Sequence, residues 1–196
     1  MRRIELEAAA ASVTYLRGLL GLPLGACFIL IGLGNLQWGP LRSPWVFLLC
    51  LAVIGGAWSL ITRYYNDNYG RVTARTEPYR RTTLPYLFYL GALVGGPLLD
   101  TWLHPVVSPV AALFAVAALS WYALRVGLRP YHLITWGALL ACALVPVWGR
   151  PDDSISVAFL LIGVATMVSG FLDHRTLVSA FGSARDLSGG VTRGVA

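Results

Sequence analysis

RYYNDNYGRVTARTEPYRR, residues Arg63–Arg81, is the polar stretch around which the chain is organised. It holds five of the fifteen arginines and four of the nine tyrosines. The residues on either side are so apolar that a water-soluble fold could not hide them all. Of the 196 residues, 57% are hydrophobic and 12% charged, with a mean hydropathy of +0.66. Soluble domains carry roughly twice that share of charge. Most of the surface must therefore meet lipid, and the stretch reads as a cytoplasmic loop joining a first membrane hairpin to the rest.

Outward from this loop lie six runs with almost no charge: 18–37, 45–62, 84–103, 106–124, 131–148 and 154–172. Each holds 18 to 20 residues, and a helix needs about 20 to cross some 30 Å of hydrocarbon. Only a helix pairs every backbone N–H and C=O within one such segment. The pattern predicts an all-α polytopic bundle of six transmembrane helices arranged as three hairpins. Residues 1–17 read as an interfacial N-terminal helix, 18–172 as the membrane domain, and 173–196 as a partly disordered cytoplasmic tail. Glu5 and Glu7 argue against a secretory signal.

Orientation follows from the arginines, since the chain contains no lysine. Thirteen fall on the side of the termini and of Arg63–Arg81, whereas only Arg42 and Arg150 fall on the other. The bias predicts both termini inside, in the cytoplasmic (inner) membrane of a bacterium. The net charge of +6 is thus spread between spans as topology requires. It is not gathered on one face, as a nucleic-acid partner would need. The three outer turns, Trp38-Gly39-Pro40, Trp102-Leu103-His104-Pro105 and Trp148-Gly149-Arg150-Pro151, each combine an interfacial tryptophan with a helix-stopping proline. Gly21–Gly25 and Gly91–Gly95 are G-x-x-x-G pairs that allow close helix packing. Pro23 is expected to kink the first helix and Pro97 the third.

The middles of the runs contain no Arg, Asp, Glu or His, which removes the usual marks of a proton relay or a midplane acid. Asp67 and Glu77 lie ten residues apart with arginines between them, a poor metal box. Cys27, Cys50 and Cys142 sit singly within spans and read as small apolar residues. Near the cytoplasmic edge, His132 opens the fifth run while Asp173 and His174 close the sixth. They are candidates for a small polar cluster or a weak metal site, but the favoured expectation is interfacial residues satisfied by water and headgroups. No catalytic residue, metal or cofactor is expected from these patterns.

Two patches, Tyr64-Tyr65 with Tyr69-Gly70-Arg71-Val72 and Ser169-Gly170-Phe171-Leu172-Asp173-His174-Arg175-Thr176-Leu177, invite comparison. They resemble the juxtamembrane loop and last-span ending of small uncharacterised bacterial six-span membrane proteins. Genes of that group often neighbour regulators or transport systems, so the resemblance implies an accessory or sensory role. On the residues themselves, Arg63, Tyr64, Tyr65, Arg71, Arg75, Arg80 and Arg81 are candidates to contact a protein partner or anionic lipid. A carrier subunit of a transport system is the alternative, and a lipid-modifying membrane enzyme using His132, Asp173 and His174 the third reading.

Overall fold

The computed structural model describes residues 17–69, 107–126, 128–144 and 151–181, together with positions 91, 94–96, 98–99 and 102. Among these residues every element is helical and none is a strand. A 3-10 turn, Gly18–Leu20, leads into α1, Gly21–Asn35; then come α2, Pro44–Tyr69, α3, Pro109–Trp121, α4, Pro130–Ala143, and α5, Pro151–Phe181. The segments Gly18–Asn35, Pro44–Asn68 and Asp153–Ser179 are long and apolar enough to cross a membrane, and Pro109–Leu124 is a shorter apolar helix.

Local chemistry accounts for the ends. Helices α2 to α5 each open on proline, whose fixed φ suits a first helical position where the missing N–H binds nothing. Ser108 caps α3, its Oγ accepting from the Ala111 N–H at 3.3 Å. At the far end of α1 the Trp38 N–H donates to the Leu33 carbonyl and the Gln37 N–H to that of Gly34. This is a Schellman closure, and it places Gln37 in the left-handed region at φ 52°. Pro23 falls in the first turn of α1, where it interrupts no helical bond, so the expected kink has no cause there. Pro97, the other expected kink, lies outside the described residues.

Two of the described helices run further than their apolar runs. Helix α2 continues to Tyr69 rather than stopping at residue 62, so Arg63–Tyr69 is helical and not loop. Nothing before Gly70 breaks a helix, and the Asn68 amide donates to the Tyr64 carbonyl one turn back. Helix α5 continues to Phe181, giving 31 residues. At 1.5 Å per residue that is roughly 46 Å. Residues 1–16, 70–90 and 182–196 lie outside the description.

The helices meet along two seams. α1 lies antiparallel on α5, glycine against glycine: a Cβ built on Gly25 would stand 2.5 Å from the Gly163 carbonyl oxygen, and one on Gly163 would stand 2.6 Å from that of Gly25. Gly18 on the 3-10 turn and Gly21 and Gly32 on α1, with Gly170 on α5, extend the contact. The expected pair Gly91–Gly95 is different: among the described residues, no atom lies within 4 Å of a Cβ at either position. The second seam is a core of alanines with larger anchors. Phe114 and Val110 of α3, Trp136 and Leu139 of α4, and Ile162 of α5 interlock around Ala111, Ala115, Ala118, Ala158 and Ala165. Phe28 joins the seams, edge-on to Phe114 at 5.4 Å and stacked on Phe159 at 6.0 Å. α2 buries almost nothing, and Trp45, Leu49, Val53 and Leu60 are exposed along it.

Candidate functional site

The polar groups gather at the end where α1 begins and α2 and α5 end. Asp173, on α5, is 3% exposed. Its Oδ1 accepts from the Tyr131 hydroxyl at 2.6 Å and pairs with His132 Nε2 at 2.9 Å, while its Oδ2 accepts from the Tyr122 hydroxyl at 3.0 Å. Such a buried carboxylate is tolerable only because every oxygen has a donor.

Each donor owes its position to local backbone. Pro130 starts α4 and puts His132 at the third helical position. There its Nδ1 accepts from the Arg129 N–H at 3.3 Å, the role a glutamate usually plays in a capping box. With Nδ1 accepting, the proton sits on Nε2 and is donated to Asp173, which fixes the tautomer. Tyr122 heads a π-helical turn, Tyr122–Val126, that follows α3. Such wide turns shift the following side chains and recur at functional positions. The Tyr122 ring lies flat on the His132 imidazole, with centroids 3.6 Å apart and planes 21° from parallel. Tyr131 is further held by Thr176 Oγ1 at 3.4 Å and by Arg129 Nη1 at 3.5 Å.

His174 belongs to a second group. One residue on a helix turns the side chain about 100°, so it faces α2 while Asp173 faces α4. Its Nδ1 is 2.9 Å from the hydroxyl of Tyr65, which is completely buried and accepts from the Leu19 N–H at 3.0 Å. Arg17 stands over the Tyr65 ring, and its Nη1 donates to Asn66 Oδ1 at 3.4 Å.

His132 and Asp173 are buried against each other rather than satisfied by water and headgroups as expected. The candidate cluster with His174 is two adjoining clusters, with His132 on Asp173 and His174 on Tyr65. Tyr65, expected on a contact surface, is corrected to an interior strut, because its ring packs edge-on to His174 and Tyr64. Arg63 and Tyr64 are exposed. Arg71, Arg75, Arg80 and Arg81 lie outside the described residues. Among the described residues, no three His, Cys, Asp or Glu side chains converge as a metal site. One turn deeper, on the faces that carry His132 and Asp173, Trp136 Nε1 and Ser169 Oγ are buried without a hydrogen-bond partner among the described residues.

No protein-family model, curated protein or solved structure matches this chain.

Tyr122, Tyr131 and Thr176 escape a reading of the sequence, since tyrosine near a span end is ordinary interfacial placement. Their one visible signal is the spacing Tyr122…Tyr131-His132, a phenol and a phenol–imidazole pair on either side of a short connection. Chemically, the arrangement is a carboxylate saturated by two phenols and an imidazole. It ties α3, α4 and α5 together at one end, and Tyr65 adds α1 and α2.

Proposed function

We propose that this is a six-span inner-membrane protein with both termini cytoplasmic, acting as an accessory component that docks an acidic partner surface or anionic lipid through Arg63–Arg81. The observation that carries this reading is the anchoring of the segment's root. Tyr65 and Asn66 are bonded to His174, to the Leu19 backbone and to Arg17, whereas Arg63 and Tyr64 beside them stay exposed. A basic segment leaving a fixed base presents its arginines with less ordering cost than one on a loose tether. The same end of the bundle carries Arg17, Arg129 and Arg175, in keeping with a cytoplasmic face. Each arginine near an anionic leaflet gains about 1 kcal/mol.

The test changes Arg75, Arg80 and Arg81 to glutamine and measures retention of anionic vesicles and of co-purifying protein, beside topology. Retention should fall while reporters after Arg81, Arg129 and Arg193 still report cytoplasm, and reporters after Arg42 and Arg150 the exterior. If retention is unchanged, the segment is a topological signal only; an exterior signal after Arg129 removes the six-span arrangement.

The lipid-modifying enzyme, third of the sequence readings, is favoured by one observation: the 2.6 Å bond from Tyr131 to Asp173, backed by His132, has the composition of an acid–base set. Asp173→Asn would abolish turnover of a lipid substrate on that reading and leave partner or lipid retention untouched on the first.

A further inference from the structure

At the end opposite Asp173, a groove of about 370 Å³ opens between the end of α1 and the start of α2. Its walls are Ile31, Leu41, Phe47 and Leu48, with Asn35 and Arg42 exposed beside them. We propose that this groove is a phospholipid site, in which Arg42 binds the headgroup phosphate and the apolar walls take the upper part of an acyl chain. The inference rests on the membrane reading of the long helices, but not on any role for Arg63–Arg81.

The charge pattern points to this occupant. Arg42 is one of only two arginines on the side that positive-inside bias leaves poor in charge. No acid lines the groove. The Arg42 Nε donates to the Gln37 carbonyl at 2.9 Å, and its terminal nitrogens have no hydrogen bond to any described residue. One of five N–H donors is thus spent on fixing the guanidinium, and the planar fork is left to meet a phosphate in two-point fashion. Gln37 supplies that carbonyl from the left-handed position of the Schellman closure, so the helix end itself fixes where the guanidinium is held.

Depth fits as well. Trp38 and Trp45 flank the groove at 60% and 79% exposure, and exposed tryptophans settle at the headgroup level. Ile31 lies one helical turn further in than Asn35, so the cavity passes from polar to apolar in the direction a lipid does. Phe47 seats on Gly34, where a Cβ would stand only 3.1 Å from the ring, so aromatic and bare backbone together form the apolar part of the lining. The alternative role for Arg42, closing the carbonyl end of α1, needs only the Nε bond and leaves the remaining donors and the cavity unused.

The experiment purifies the full chain in detergent, adds phosphatidylglycerol, and counts the lipid molecules that survive washing by native mass spectrometry. Wild type should hold one lipid tightly. Arg42→Gln should lower its retention about tenfold, the worth of one charged hydrogen-bonding group. Arg42→Lys should fall less, because it keeps the charge and loses the fork. Ile31→Trp fills the cavity with Arg42 intact and should also release the lipid, which keeps the proposal testable should Arg42→Gln fail to fold. Unchanged retention in both Arg42→Gln and Ile31→Trp makes Arg42 a helix-end cap and overturns the proposal. Loss in Arg42→Gln alone reduces it to surface charge and overturns the groove. Displacement by millimolar inorganic phosphate would show a free-anion site and overturn the lipid. A chain that stays in solution without detergent instead removes the membrane reading itself.

Discussion

Replacing Asp173 by alanine removes the acceptor shared by Tyr122, Tyr131 and His132. Three interhelical hydrogen bonds at the membrane average of about 0.6 kcal/mol give a lower bound near 2 kcal/mol. A buried ionic partner removed from a soluble core costs about 3–5 kcal/mol, since the remaining groups are stranded. Tyr131 can turn to Thr176 Oγ1, 3.4 Å away, so the expected loss lies between these limits, at about 2–4 kcal/mol. His132 has no such escape: its Nδ1 is committed to the Arg129 N–H. Asp173→Asn keeps an acceptor for His132 and Tyr131, and the Tyr122 hydroxyl can reverse to accept from the amide, so it should lose about 1 kcal/mol. Thermal unfolding in mild detergent reads the difference, with each kcal/mol moving Tm by about 2–4 °C for a chain of this size. Asp173→Ala should therefore melt at least 4 °C below wild type, with Asp173→Asn between them. An alanine variant as stable as wild type would refute the reasoning, for it would mean the carboxylate contributes nothing to joining α3, α4 and α5.

Gly25→Ala should destabilise by about 2 kcal/mol, since its Cβ would stand 2.5 Å from the Gly163 carbonyl oxygen, a backbone atom that cannot swing aside as the neighbouring Met167 side chain can. Gly91→Ala, whose Cβ would meet no described atom within 4 Å, should not destabilise in the same melt and should gain up to about 1 kcal/mol from helix propensity; equal losses would contradict the seam. Tyr65→Phe should cost about 1–2 kcal/mol and speed hydrogen exchange at the Leu19 amide, which loses its acceptor; a protected Leu19 would count against the strut. Gln37→Gly should gain about 0.5–1 kcal/mol by relieving the left-handed backbone, and a loss on that substitution would show that the Gln37 side chain matters more than its φ.

The sequence resolves which residues avoid water far better than which neighbour each residue meets. The apolar run from Gly18 and the described 3-10 turn with α1, Gly18–Asn35, coincide to within two residues, because lipid and water sort side chains without regard to tertiary partners. The end of α2 is missed by seven residues, since polar side chains on Arg63–Tyr69 say nothing against a helix once it has left the hydrocarbon. The two G-x-x-x-G pairs are alike on paper, yet only Gly21–Gly25 faces a described helix. His132 and Asp173 are legible because ionisable groups at span edges are few. Their phenolic partners are not, because the π-helical turn that aims Tyr122 at Asp173 leaves no mark in a pattern of apolar spacing. Tyr65 and Tyr64 read as a pair, and only their 100° separation on α2 makes one a strut and the other a surface group.

The glycine seam between α1 and α5 also sets an order of assembly. Gly25 and its partner Gly163 are 138 residues apart in the chain, and at about 5–20 residues per second the ribosome delivers the second roughly 7–28 seconds after the first. Throughout that interval α1 rests in the bilayer with its bare backbone face unmatched, and Tyr65 waits for a histidine not yet made. Arrival of α5 thus closes this seam, as a door is closed by its latch. A chain cut short before α5 would leave the α1 glycine face without Gly163 and Gly170, and Tyr65 without His174.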